Sequence, residues 1–279
     1  MEKKMKKILA TVALFFALAS TSAFANDYKC DKKFIFFPGG PEGGPFGTIV
    51  YNGAVAAAEH TGCKVDYYWS QWNSEIMIKQ FKEAVALQPD GIAIYGFPGD
   101  AAMRPIINEA IKKGIVITTM NTPLPDLEAE LKTTGFGYAG ADLFDAGFNL
   151  GKKGVEVCGL KAGDKAFIWG LASMPNRGER TKGAIAGVES MGVKVVYQEI
   201  PDNVNSDASQ GTPMYVATYS ANPDIKMAIT DHGGLTASLP TYMKAAGHGT
   251  EAVCGAGFDL SGPIVDGINS GYIDVVIDQ

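Results

Sequence analysis

From residue 33 onward, short apolar runs alternate with segments of helical length, and few folds accept that rhythm. The runs are FIFF, VDYYW, GIAIYG, GIVITT, KAFIWG, VKVVYQ, IKMAIT, VCGAGF and IDVVI. Each has the length of a buried strand and is bounded by Gly, Pro, Asp or Asn. Between them the period changes to that of a helix. Asn73 and Ser74 can cap a helix with Met77, Phe81, Ala84 and Val85 on one face, and Pro89 forbids its continuation. A second helix is predicted from Asp100 through Met103, Ile106, Ile107, Ala110 and Ile111 to a stop at Gly114. Strand, helix, strand at this spacing means parallel sheets with right-handed crossovers. Nine runs exceed one mononucleotide-like unit, and GFGYAGAD at 135–142 interrupts them after four. The expected architecture is α/β: two similar Rossmann-like lobes with parallel sheets, residues 26–140 and 141–279, and a ligand cleft between them.

The first 25 residues stand apart. Lys3, Lys4, Lys6 and Lys7 precede the apolar stretch ILATVALFFALA and then Ala23-Phe24-Ala25. That is the pattern of an export signal cleaved after Ala25, which predicts a periplasmic protein. No small-residue run precedes Cys30, so a lipid anchor is not expected. The whole chain has 24 Lys and Arg against 30 Asp and Glu. Loss of four Lys and one Glu with the signal leaves 20 against 29, a net charge of −9. That balance excludes the clustered basic surface that nucleic acid requires. Four cysteines in an exported chain suit disulfides. Cys30 and Cys63 each stand just before an apolar run, so adjacent parallel strands would bring them together. Cys158 and Cys254 can form a second pair, although spacing alone does not fix connectivity.

In open α/β sheets ligands sit beyond the carboxyl ends of strands. Those ends carry the loop GGPEGGPFG with Glu42, the segment Trp69–Asn73 with Trp72, Phe97–Asp100, and Met120-Asn121. In the second half they carry Ser173–Arg177 with Asn176, Asp202–Asn205, Asp231-His232, Phe258-Asp259 and Asp278-Gln279. Carboxylates, amides and aromatic rings suit a neutral polyhydroxylated ligand, whose hydroxyls both donate and accept and whose C–H faces favour rings. Rival chemistries lack their signatures. GFGYAG matches G-x-G-x-x-G literally, but the helix-like LEAELKTT precedes it where a strand is needed, so it reads as a lobe-to-lobe connector. The opening loop lacks the Gly-Lys-Ser/Thr of a phosphate loop. No G-x-S-x-G elbow occurs. His60 and His248 are expected to face solvent, and His232 beside Asp231 does not make a triad. His60-x-x-Cys63 offers a metal only two ligands. Arg177 is placed on the ligand side of its strand end; for Arg180, one turn on, a structural role is equally open. No catalytic residue, metal or cofactor is predicted.

Taken together, GGPEGGPFGTIVYNGA, QPDGIAIYGFPGD, INEAIKKGIVITTMN, YAGADLFDAG, NRGERTKGA, AITDHGG and GAGFDLSGPIVDGINSGYIDVVIDQ give the chain a likeness. It resembles the periplasmic sugar-binding proteins of ABC transporters, of the ribose and galactose-binding type, which share their fold with LacI-like effector domains. The resemblance implies a periplasmic binding protein of type I. The family's first aromatic pair falls on Phe46 and Gly47, so one ring is missing, and Trp72 is the candidate replacement. Its ligand pair after the fourth strand falls on Met120 and Asn121, and its ligand arginine on the 176–178 region, taken as Arg177. Asp231, Asp259 and Gln279 match its remaining polar contacts, while Glu42, Asn176 and Asn205 are secondary candidates. Members continue past the position of Gln279 into a further hinge crossing. The resemblance therefore implies either a longer chain or a less stable first lobe.

The function expected on these grounds is capture of a small neutral sugar or polyol by a monomer that docks on a membrane permease. A binding protein that feeds a chemoreceptor or sensor kinase is the alternative, and an exported α/β hydrolase a weaker one. A repressor is excluded by the export signal and by the lack of a DNA-binding helix ahead of residue 33.

Overall fold

The computed structural model describes residues 30–278. The export signal and Gln279 lie outside them. Two five-stranded parallel sheets organise the chain. The first comprises β1 (Lys33–Phe36), β2 (Lys64–Tyr67), β3 (Gly91–Tyr95), β4 (Val116–Met120) and β5 (Gly137–Ala139) in the order β2-β1-β3-β4-β5. The second comprises β6 (Lys165–Gly170), β7 (Lys194–Glu199), β8 (Ile225–Thr230), β9 (Cys254–Phe258) and β10 (Val275–Ile277) in the order β7-β6-β8-β9-β10. The two orders are the same, so the chain repeats one doubly wound unit. In each unit the winding reverses beside the first strand, where a crevice opens.

Helices connect the strands of the first unit: α1 (Pro45–Thr61), α2 (Ser74–Ala86), α3 (Asp100–Lys112) and α4 (Pro125–Leu131). In the second unit they are α5 (Leu143–Val157), α6 (Glu179–Glu189), α7 (Asp202–Ser206), α8 (Thr212–Ala221), α9 (Gly233–Ala245) and α10 (Gly262–Asn269). α2 begins as its sequence predicts, with the Asn73 side chain accepting from the Ile76 N–H at 2.9 Å. Met77, Phe81, Ala84 and Val85 are its buried face. In α3 Met103, Ile106, Ile107 and Ala110 are buried, but Ile111 is only half-buried. The second sheet is buried on both sides by its two-residue alternation. Phe167 and Trp169 pack with Tyr215, Leu235 and Tyr242 on one face. Ala166 and Ile168 pack with Leu150, Val188 and Met227 on the other.

Among the described residues ten strands form where nine runs were expected. The segment read as a plain connector contains β5, which pairs parallel with β4 from Thr118↔Gly137 to Met120↔Ala139. The three residues Gly137-Tyr138-Ala139 carry no apolar run, so only the free edge of β4 makes them a strand. The chain then crosses to α5 through Gly140–Asp142, where the Asp142 side chain caps the new helix by accepting from Asp145 N–H. Cys30 is bonded to Cys63 and Cys158 to Cys254, with Cα atoms 4.7 and 5.9 Å apart. The first bond follows from the β1–β2 register, Lys33 opposite Lys64.

One contact surpasses the others in closeness. A Cβ added at Gly147 of α5 would lie 1.9 Å from the Arg180 carbonyl oxygen, and one at Gly151 2.4 Å from that of Ala184. From the other side, Gly183 and Gly187 of α6 face the carbonyls of Phe144 and Phe148 at 2.1 and 2.2 Å. The two helices therefore touch backbone to backbone, and this seam sets the position of the α6 N-terminus. Gly147→Ala is expected to destabilise the second unit by about 1–3 kcal/mol through overpacking, read as a lower denaturant midpoint. Ala at Gly53, which meets nothing within 4 Å, should not.

Candidate functional site

The carboxyl ends of both sheets face one cleft of about 340 Å³. Elements on either side of each winding reversal supply it. Phe46 follows β1, Tyr95 ends β3 and Phe97 follows it. Arg177 and Arg180 follow β6, and His232 follows β8. The two walls differ in chemistry. The first unit contributes Phe46, Trp72, Tyr95, Phe97, Asn121 and Thr122 with Pro41, Gly44, Pro45 and Gly47, and none of these is charged. The Trp72 ring lies 6.1 Å from Phe46, 5.5 Å from Tyr95 at 88° and 6.3 Å from Phe97. Four rings thus make a continuous aromatic surface. Gly39 and Gly40 exist for that surface: a Cβ on either would overlap the Trp72 indole at 2.4–2.6 Å. The glycines of the opening loop admit a tryptophan as much as a ligand.

The second unit contributes a desolvated charge cluster. Asp231 ion-pairs with Arg177 at 3.0 Å and with Arg180 at 3.2 Å. Its backbone carbonyl also accepts from both guanidiniums, at 3.1 and 2.6 Å. All three side chains are at most 8 % exposed. Arg180 also lies 4.2 Å above the Phe258 ring. Burial first, and the neighbouring Arg177 second, lower its pKa to about 10, which leaves it charged at neutral pH. Asp259 is 3 % exposed and accepts from the Gly233 N–H at 2.7 Å, so it holds the start of α9 while lining the cleft. Counted as formal charges, the two arginines and two aspartates cancel. Asp207 sits at the rim, where Ser209 holds its carboxyl below the usual range.

The predicted residues separate into groups. Phe46, Trp72, Asn121, Arg177, Asn205 and Asp259 line the cleft. Asp231 stands behind the arginines rather than at the cleft surface. Gln279 lies outside the described residues. Three candidates are placed elsewhere. Glu42 is exposed, because the turn closed by the Gly44 N–H on Pro41 O at 3.1 Å turns it outward. Met120 is buried in the first core beside its strand partner Tyr95. Asn176 points to the first unit, donating to Asp100 at 2.9 Å and to the Pro123 carbonyl at 3.1 Å, and so ties the lobes together. His60 is exposed as expected, but His248 is not solvent-facing: its ring packs 4.7 Å from Tyr219.

Sequence reasoning did not name Tyr95 and Thr122 as cleft residues, and it placed His232 at a ligand-side strand end without giving it a role. Each carries a buried polar atom with no protein hydrogen-bond partner: the Tyr95 hydroxyl, Thr122 Oγ1 and His232 Nε2. Burial, reinforced by Asp259, pushes the Tyr95 hydroxyl pKa up, so it remains a donor. The signal available was position: Tyr95 is the last residue of β3, and Thr122 and His232 each lie two residues beyond a strand end. A further mark is backbone strain. Among the described residues six non-glycines have positive φ, and five of them, Gln71, Trp72, Asn121, Asn176 and Asp259, lie in the cleft or in contacts between lobes. Such conformations cost free energy and persist where the surroundings enforce them. The lobes also meet through Ser206, which donates to the Gln71 carbonyl at 3.5 Å.

Removing the Asp231 carboxylate would take the ion-pair partner of Arg177 and Arg180 out of a buried cluster and leave them their hydrogen bonds to the residue 231 carbonyl. Asp231→Ala is therefore expected to cost about 3–5 kcal/mol of stability, measured by chemical denaturation.

A family profile described as periplasmic binding protein domain matches residues 35–279. Among solved structures, a glucose-galactose binding protein from Geobacillus stearothermophilus is similar at TM-score 0.75 and 22% identity, covering 90% of this chain and 86% of that one. An ABC transporter solute binding protein from Agrobacterium vitis, bound with α-D-tagatopyranose, has TM-score 0.75 and 22% identity over 89% and 83% of the two chains. A third, from Actinobacillus succinogenes 130z with bound D-allose, has TM-score 0.75 and 21% identity over 88% and 85%. No curated protein matches the chain. With two repeated α/β units closing on one cleft, and a profile match from the first strand to the last residue, this chain belongs to the periplasmic binding protein domain family.

Proposed function

We propose that the protein is an exported, monomeric solute-binding protein that captures a small neutral sugar or polyol and delivers it to the membrane permease of an ABC transporter. The observation that carries this reading is the pairing of an uncharged aromatic wall with a buried polar wall whose formal charges cancel. A charged ligand would unbalance that wall in a site stripped of water, whereas a hydroxyl-rich neutral one would not. The cleft volume lies near the lower bound of about 300–1,000 Å³ for ligand sites, which suits a monosaccharide. The sugars bound in the similar solved structures support that size class.

Each face of such a ligand finds its counterpart. The C–H face of a sugar ring stacks on Phe46 and Trp72, while its hydroxyls reach Asn121, Arg177, Asn205 and Asp259. Hydrogen bonds to charged groups are worth about 1.5–3 kcal/mol each. An analogue lacking one hydroxyl would leave a buried partner unsatisfied, and that loss supplies selectivity. Hinged closure completes the site by bringing the aromatic wall over the polar one.

Calorimetry and thermal melting with D-glucose, D-galactose, D-allose, D-arabinose and D-tagatose test the reading. At 100 times Kd a bound sugar should add about 2.7 kcal/mol of stability. Trp72→Ala should weaken binding at least about tenfold, or 1.4 kcal/mol. Asp259→Asn should abolish most of the melting shift while keeping an acceptor for Gly233. Silence from every neutral sugar and polyol, or binding unchanged in both variants, would sink the assignment.

A further inference from the structure

His232 has no part in the contacts described so far, yet its placement is specific. It precedes α9 in extended conformation, φ −153° and ψ 159°, so its side chain is directed by the strand end rather than by the helix. Its backbone carbonyl is fully used, accepting from the Thr236 N–H at 3.0 Å and hydroxyl at 3.1 Å. The imidazole lines the cleft with Nε2 buried and unpartnered.

We propose that His232 is a ligand-facing residue that must be uncharged for the lobes to close, so that sugar capture expels a proton under mildly acidic conditions. The proposal rests on the sugar-binding reading above and deepens it.

The charges around the imidazole decide the sign. Asp231, next in sequence, favours the imidazolium, but its carboxylate is committed to Arg177 and Arg180. Those two guanidiniums oppose a third positive charge. Asp259 is engaged by the Gly233 N–H, and Asp207 by Ser209 and Gln210. The first unit offers only uncharged residues to the cleft that His232 lines. Closure therefore removes water from the ring without supplying a carboxylate in exchange. Burial foremost, and then Arg177 and Arg180, bring its pKa down to about 3 despite the opposing Asp231. A neutral imidazole keeps one donor and one acceptor nitrogen. Nε2 can then meet a sugar hydroxyl from the polar wall while the Tyr95 hydroxyl does so from the aromatic wall.

In an open cleft the ring is solvated and titrates near its ordinary value of about 6.5. Because the closed form holds the proton less tightly, protonation favours the open form. Affinity should be constant above that value and fall about tenfold per pH unit below it. From pH 7.5 to 5.0 the expected loss is about 30-fold.

Calorimetric titration of the five sugars named above into the full chain, at both pH values and in two buffers of different ionisation enthalpy at pH 6, reads affinity and proton release together. Wild type should show the 30-fold loss and release a fraction of a proton. His232→Gln and His232→Asn, checked for native melting, should change by less than about threefold over the same range and release none. Parallel pH profiles in wild type and variants would overturn the role of His232 and leave sugar binding standing. Absence of heat with all five sugars at pH 7.5 would defeat the functional reading and this inference with it.

Discussion

Asp231 lies between two arginines in a place where water does not reach, and the second half of the cleft is arranged around that fact. A lone buried guanidinium would be prohibitively costly, and two beside each other more so. One carboxylate and its own backbone carbonyl pair with both. The cluster spans three elements: the start of α6, the end of β8 and, through the ring of Phe258 beneath Arg180, the end of β9. It therefore locks the carboxyl edge of the sheet into one geometry before any ligand arrives.

That geometry depends in turn on the glycine seam between α5 and α6. Arg180 presents its carbonyl to Gly147 and its guanidinium to Asp231, so helix packing and charge placement meet in one residue. Only glycine permits such an approach. The seam also lies directly after the crossing from the first unit, since α5 begins at Leu143. The helix pair that carries the polar wall therefore starts directly at the crossing.

The asymmetry of the walls has a functional logic. In the proposed sugar-binding role, rings at the β1, β2 and β3 ends supply a surface indifferent to hydroxyl stereochemistry, and the opposite wall supplies the groups that would read hydroxyls one by one. Closing an aromatic wall over a polar one strengthens each polar contact by excluding water. It also makes every unsatisfied group expensive, which is why the buried polar atoms of Tyr95, Thr122 and His232 matter as much as the charged residues.

The alternation of apolar runs determined the sheets, and with them the edge where a ligand can sit. The capping of α2, the β1–β2 disulfide and the cleft positions of Phe46, Trp72, Arg177 and Asp259 were legible because each depends on a neighbour in sequence or on the end of a strand. Glu42, Met120 and Asn176 also sit near strand ends, yet a tight turn, a strand register and a contact across the lobes send their side chains elsewhere. β5 was hidden because its strand character comes from the open edge of β4 rather than from its own residues. Sequence by itself thus decided what is periodic and local. Tertiary structure alone decided which charges are desolvated together and which polar atoms remain unpaired, because burial and pairing are properties of distant segments meeting.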